Sequence, residues 1–517
     1  MTLSFNDIIS FKALQKPVIF LIGIGLLYLL PQNEIFLAIM SGLLLFYCYN
    51  NPIRTLYVST ALISCRYFFV NNGAMIGSDF EIFAPWRFLQ EKALLMQSSD
   101  KIVFFLLLIN ILLINFKNKD NLNFRRFNYS LTILICIFVF ITIMSMIANS
   151  ISLFNTLFFI QMFTKPVLFL ILILQMNWKK KEIFDFFKFV FAIILLMQII
   201  PTFVENTPQI VRGYIFFVDQ FTGTFTYGGN YSTTQFLIYA CCILFINYLQ
   251  IPNIKSLFWF IACLFCIISA QSGFQTAIIF LFICPWVISV FINSGNSDIK
   301  TFTTLFKFLY IIITLLLLNY LILNVTGLRG IGYVYEYSES ITDVSLNEGI
   351  FELPKFRTYN ILYDYWAKGE ISPILGIGPC GYLSGAAFYA GSKYYTELIA
   401  NKLYFRSSFR SNVLTFPQNS TVGIIGEVGI FGYIVYIILY FMPFVFIKRN
   451  LKRYFKTFWS PVAVGYVGIF ISLISWSFFW NAFEDIALSG VFFIISGILM
   501  QVFLLLTNNE EPENEWT

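Results

Sequence analysis

Histidine is absent from this 517-residue chain. Its absence removes the commonest general base and the commonest metal ligand from whatever chemistry the protein performs. Charge is scarce too: 12% of the residues are Asp, Glu, Lys or Arg, about half the roughly 25% of a soluble domain. Together with a hydrophobic share of 58%, that scarcity excludes an ordinary water-soluble protein and points to a chain that crosses a membrane repeatedly. Disulfides are not expected either. Of the nine cysteines, Cys48, Cys65, Cys136, Cys241, Cys242, Cys263, Cys266 and Cys284 fall in apolar runs, which leaves Cys380 alone in a polar stretch. Cys263-x-x-Cys266 lies inside an apolar helix without a second ligand pair, so a zinc site is not expected. The 63 phenylalanines read as lipid-facing and helix-packing residues, not as a cofactor box.

What is present is a succession of apolar runs. A spanning helix takes about 20 apolar residues, fewer where the flanks snorkel. On that basis the chain is read as an all-α polytopic membrane protein of about 14 transmembrane helices. The candidates cover 11–30, 34–50, 55–70, 101–116, 129–149, 153–177, 183–204, 231–250, 256–272, 274–293, 303–325, 419–446, 459–480 and 486–506. Residues 1–325 would form a first bundle, 326–418 one large and partly helical extracytoplasmic loop, 419–506 a second bundle, and 507–517 an acidic cytoplasmic tail. Lysine and arginine set the orientation. With the N-terminus inside, 19 of them fall in inside segments and four in the short outside ones, so both termini are expected in the cytoplasm and the large loop outside. The first apolar run lacks a small-residue cleavage site, which argues against a removable signal peptide.

Three features could carry chemistry. The short outside loop 205–230 holds Arg212-Gly213 and Gly223-Thr-Phe-Thr-Tyr-Gly-Gly-Asn230. Its glycines would let backbone approach a ligand, and Arg212 offers a forked donor for phosphate oxygens. The large loop, 93 residues from Thr326 to Gln418, balances eight acids against eight bases. Pro354 to Glu370 reads as a helix with proline in its first turn, carrying Arg357, Asp364 and Trp366. Tyr394 to Arg410 reads as a second, amphipathic helix. So many aromatics and glycines argue for a compact cap over the membrane. Last, Arg66 and Lys165 fall within spans, where a cation normally faces a cavity, a partner or the interface.

The order of these features resembles the O-antigen polymerase and O-antigen ligase superfamily of bacterial envelope enzymes. Four stretches carry the resemblance: Arg212 with Gly-Thr-Phe and Asn230; Ser269-Ala-Gln-Ser-Gly273; Arg357 and Trp366 leading to Pro373-Ile-Leu-Gly-Ile-Gly-Pro-Cys-Gly-Tyr382; and Asn419-Ser420 followed by Gly426-Glu-Val-Gly-Ile-Phe-Gly432. Ligases of the family place a histidine where this chain has Gln418, and glutamine cannot act as a base at neutral pH. That difference favours polymerase over ligase.

The resemblance implies transfer of a glycan from a polyprenyl diphosphate to a sugar hydroxyl of the next lipid-linked repeat unit. It implies membrane lipids and a chain-length regulator as further partners, and no nucleic acid. No Asp-x-Asp pair stands in an early outside loop, so no metal or other cofactor is expected. Arginines would then offset the charge that develops on the departing diphosphate. Arg212 and Arg357 are the first candidates, with Lys165 and Arg66 behind them. Asp364, Glu352 or Asp219 would serve as a base if one is needed. Asn230, Gln418 and Asn419 are candidate substrate contacts. Transfer of a finished glycan to another acceptor, and a non-enzymatic flippase of lipid-linked glycan, remain open beside the polymerase.

Overall fold

The computed structural model describes residues 34–64, 94–117, 124–212, 230–251, 253–269, 354–384, 386–387, 419–455, 457–478 and 482–508, with isolated positions between 15 and 23. Among the described residues the secondary structure is helical throughout, without named strands. The helices are α1 (Glu34–Cys48), α2 (Pro52–Ser64), α3 (Leu94–Lys117), α4 (Arg125–Ala148), α5 (Leu153–Gln175), α6 (Lys180–Arg212), α7 (Asn230–Gln250) and α8 (Ile254–Ser269). There follow α9 (Pro354–Ala367), α10 (Ser420–Arg449), α11 (Ser460–Ser477) and α12 (Ile486–Asn508). Apart from α9, each lies on an apolar run read from the sequence. The candidate spans at 274–293 and 303–325, most of 11–30 and the end of 55–70 lie outside the described residues, as does the helix expected over 394–410.

Among the described residues, six helices are long and apolar enough to cross a membrane: Arg126–Ala148, Leu153–Gln175, Thr233–Gln250, Ser420–Arg449, Ser460–Ser477 and Ile486–Thr507. The protein is a helical, polytopic membrane protein. One boundary differs from the sequence reading: α6 continues to Arg212 through the first residues of the interval assigned to an outside loop. Hydropathy locates where a helix would leave lipid, whereas backbone hydrogen bonding continues past that level.

Burial separates the helices into inner and outer ones. The spanning windows of α7 and α11 are 83% buried, whereas that of α4 is only 22% buried. Exposed Ile133, Ile137, Phe140 and Ile147 on α4, with Phe431 and Ile434 on α10, form an apolar face of the kind lipid covers. Inside, α7 packs on both α8 and α11, and α12 packs on α5. Lipid is as apolar as leucine, so helix association draws on close packing and polar contacts. The Gln235 amide donates to the Ser472 hydroxyl at 2.8 Å, and the Gln250 amide to the Ser460 hydroxyl at 2.8 Å. The Gln501 amide donates to the Ile173 carbonyl at 2.8 Å. The rings of Phe138, Phe159, Phe163 and Tyr436 cluster where α4, α5 and α10 meet. Pro166 interrupts the hydrogen-bond ladder of α5, and the Tyr436 hydroxyl donates to the Phe163 carbonyl in the preceding turn at 3.1 Å.

These contacts fix the two ends of the bundle. Since Gln235 meets Ser472 and Gln250 meets Ser460, α7 and α11 run antiparallel. The start of α4, the α5–α6 link, the α7–α8 link and the end of α10 share one end. There Phe124 packs on Phe446, Phe184 on Phe458, and the Arg453 guanidinium lies 5.3 Å from the Phe503 ring centroid. Arg125, Arg126, Lys179, Lys180, Lys181, Lys255, Lys448, Arg449, Lys452 and Arg453 all belong to this end. The opposite end holds the α4–α5 elbow, the starts of α10 and α12, the end of α11, and α9.

Candidate functional site

The site is built on that second end, from α9 and the segment that follows it. Pro354 opens α9, where its missing N–H costs nothing. The helix stops in a Schellman arrangement, with the Gly369 N–H donating to the Trp366 carbonyl and the Glu370 N–H to the Tyr365 carbonyl. Beneath it lies a small separate core of Ile361, Leu362, Tyr365, Ile371, Ile377, Tyr382, Leu383, Ala387 and Val422. The region is therefore a folded cap with its own apolar interior.

A polar joint fastens α9 to the bundle. Asn419 caps α10: its side-chain oxygen accepts from the N–H groups of Thr421 at 3.0 Å and Val422 at 3.2 Å. Its amide nitrogen donates to the Tyr359 hydroxyl at 3.1 Å and to the Phe478 carbonyl. The Tyr359 hydroxyl in turn donates to the Phe478 carbonyl at 2.9 Å. Burial pushes the Tyr359 phenol up to about 12, against a smaller opposing pull from the Asn419 hydrogen bond. The folded pKa lies above the ordinary 10.0. The stabilisation is therefore complete below pH 10.0 and is lost as pH rises towards about 12. Tyr359→Phe is expected to cost about 1–2 kcal/mol, read as a lower thermal midpoint, and to remove that alkaline loss.

The segment 372–384 starts exposed at Ser372, Pro373 and Ile374 and then leaves the surface, with residues 376–384 buried. It lies against a break in α10, a helix that elsewhere has the length and hydropathy of a membrane span. At Gly429 the backbone turns to φ +78° and ψ 176°, so the helical ladder fails there. The segment replaces the lost bonds. The Ile377 N–H donates to the Gly426 carbonyl at 2.8 Å and the Gly378 N–H to the Glu427 carbonyl at 3.0 Å. The Ile430 N–H donates to the Pro373 carbonyl at 2.9 Å. Irregular backbone inside a span is tolerated when buried protein satisfies it, as here. Gly426 lets the chains approach, since a Cβ there would strike the Tyr382 ring.

The Glu427 side chain completes the contact. It is fully buried. One carboxylate oxygen accepts from the Cys380 N–H at 2.7 Å; the other accepts from the Tyr382 N–H at 3.3 Å and the Ser384 N–H at 3.0 Å. Glu484, just before α12, accepts the next contact, from the Ala386 N–H at 3.1 Å. The α4–α5 elbow closes the other side. The Ser145 hydroxyl lies within hydrogen-bond distance of the Leu375 and Glu427 carbonyls, and the Asn149 amide donates to the Gly376 carbonyl at 3.3 Å. The Cys380 thiol donates to the Asn155 carbonyl at 3.2 Å. Burial, and then the neighbouring Glu427 and Glu484, push this thiol well above its usual range, so it is not a nucleophile at neutral pH.

The candidate residues distribute as follows. Arg357 falls in the first turn of α9, and Asp364 is exposed on the same helix. Asn419 sits at their joint with α10, and all four hydrogen-bonding positions of its amide are in use. Arg212 ends α6 and Asn230 begins α7, which chain direction places at this same end of the bundle. Lys165 is buried in the interior of α5 at 2% exposure. Arg66, Gln418, Asp219 and Glu352 lie outside the described residues. Among the described residues no group of three or more His, Cys, Asp or Glu is placed to hold a metal ion. Glu427, Ser145, Asn149 and Tyr359 were not singled out from sequence. For Glu427 the signal was present, as it is the one carboxylate in the apolar stretch from Ser420 to Ile447.

Fold and site together define a polytopic helical membrane protein whose cap sends a segment into the bundle against a broken span. No protein-family model matches the chain, and no curated protein matches it.

Proposed function

We propose that this protein polymerises polyprenyl-diphosphate-linked oligosaccharide repeat units into a surface polysaccharide, such as an O-antigen, capsule or exopolysaccharide. The reaction would be a metal-independent glycosyl transfer at the outer face of a bacterial cytoplasmic membrane. The observation that carries the reading is the meeting of two stretches far apart in sequence. Pro373–Tyr382 and Gly426–Gly432, both of which resemble the polymerase and ligase superfamily, are hydrogen-bonded to each other, and α9 with Arg357 and Asp364 is fastened beside them. Lysine and arginine gathered at the opposite end of the bundle support cytoplasmic termini and an outward-facing cap. About 14 spans remain the expected total.

In this reading Arg357 and Arg212 hold the diphosphate of the donor and offset the charge that grows as the glycosidic bond breaks. Asp364, open to solvent on α9, accepts the proton of the attacking sugar hydroxyl. Lys165 and Arg66 support the diphosphate from the membrane side, and Asn230, Gln418 and Asn419 position the sugars. The Asn419 amide would have to exchange a present hydrogen bond to do so. A flippase of lipid-linked glycan is the second reading, favoured by the break in α10, since broken helices mark many transporter sites.

Deleting the gene and analysing both the surface glycan and the lipid-linked pool separates these readings. The proposal expects single repeats still transferred to their normal acceptor, with no polymer. Long lipid-linked polymer left untransferred would indicate a ligase, and repeats trapped at the cytoplasmic face would indicate a flippase.

A further inference from the structure

The backbone N–H groups of Cys380, Tyr382 and Ser384, alternate residues of the inserted segment, all donate to one carboxylate. It belongs to Glu427, about 10 Å along α10 from its start. Burying a carboxylate inside an apolar span is costly, and the cost falls only when hydrogen bonds replace its hydration. Three backbone N–H donors and the Ser384 hydroxyl do so, all from the inserted segment. The segment in turn reaches α9 through the Tyr382 hydroxyl, which donates to the Thr358 carbonyl at 3.4 Å, and through the shared core of Ile361, Leu362, Ile377 and Leu383.

We infer that Glu427 is a positioning residue: it pins segment 372–384 into the break of α10 and thereby sets the place of α9 over the bundle. The fastening stands on geometry alone, and only its service to Arg357 and Asp364 rests on the proposed function. Glutamine at this position keeps the shape but turns one acceptor oxygen into a donor. At least one of the three N–H groups then faces another donor inside the protein. The segment keeps its backbone hydrogen bonds to α10, the α4–α5 elbow and, at Ala386 just beyond it, Glu484, so the variant should loosen it without unfolding the inner helices α7 and α11.

Amide hydrogen exchange on the full-length protein in detergent or nanodiscs tests this without any substrate, and so independently of the glycan experiment. In Glu427→Gln, peptides over 372–387 and over α9 are expected to exchange at least tenfold faster than in the parent. Those over α7 and α11 should be unchanged, and Glu427→Asp should give an intermediate rate. Unchanged exchange over 372–387 overturns the pinning, and faster exchange there with α9 unmoved overturns the positioning. If Glu427→Gln does not accumulate, the parent protein decides. Amides of Cys380, Tyr382 and Ser384 exchanging as slowly as the middle of α10 support the inference, and exchange as fast as the exposed turn at Lys368–Glu370 overturns it.

Discussion

Gly429→Ala is expected to cost more stability than the same change at any other glycine among the described residues. The native backbone there, φ +78° with ψ 176°, is open essentially to glycine alone. Holding another residue in it costs about 1–3 kcal/mol. The added Cβ would also land on the Ile374 carbonyl, so the inserted segment has to retreat. Retreat breaks the bonds from Ile377 to Gly426, from Gly378 to Glu427 and from Ile430 to Pro373, and leaves Glu427 without its donors. Backbone groups left unpaired inside a membrane cost several kcal/mol each by the hydrocarbon standard, against a usual net stability of about 5–15 kcal/mol. The expected outcome is protein that fails to accumulate or elutes only as aggregate after solubilisation. Gly42→Ala in α1, where a Cβ meets nothing within 4 Å, is the matched control and should leave yield unchanged.

Arg357→Lys is expected to lower polymer formation roughly 100-fold, the usual scale for removing one donor to developing negative charge. The loss follows from geometry and not from net charge. A guanidinium grips two phosphate oxygens with a rigid fork, whereas an ammonium offers a single mobile point charge. Because α9 is anchored by the Tyr359–Asn419 joint and by its own small core, the protein should accumulate normally. Lys368→Gln, in the exposed turn just after the same helix, should leave polymer unchanged. Near-normal polymer from Arg357→Lys would remove Arg357 from the reaction.

Much of this architecture is legible in the sequence because lipid imposes a length rule. Runs such as 153–177, 419–446 and 486–506 return as α5, α10 and α12, and proline at position 354 marks the start of α9. The depth of Ser372–Ser384 is not legible. A stretch rich in glycine and proline with two serines reads as a surface turn, and its burial depends on partners at Ser145, Asn149 and Gly426–Ile430. Those partners show themselves only when the chain is folded. The resemblance motifs name both halves of that contact, yet nothing in either half reveals that they touch. Glu427 is the intermediate case: a lone carboxylate in an apolar run flags itself, and only the structure identifies what it holds.

The most direct measurement is polymerisation by the purified protein. The full-length chain, reconstituted in proteoliposomes with polyprenyl-diphosphate-linked repeat units and a metal chelator, should convert single repeats into a ladder of two, three and more. Polyprenyl diphosphate should be released at each step. Repeats that remain single while the protein is folded and the lipid-linked substrate is accessible would contradict the polymerase reading.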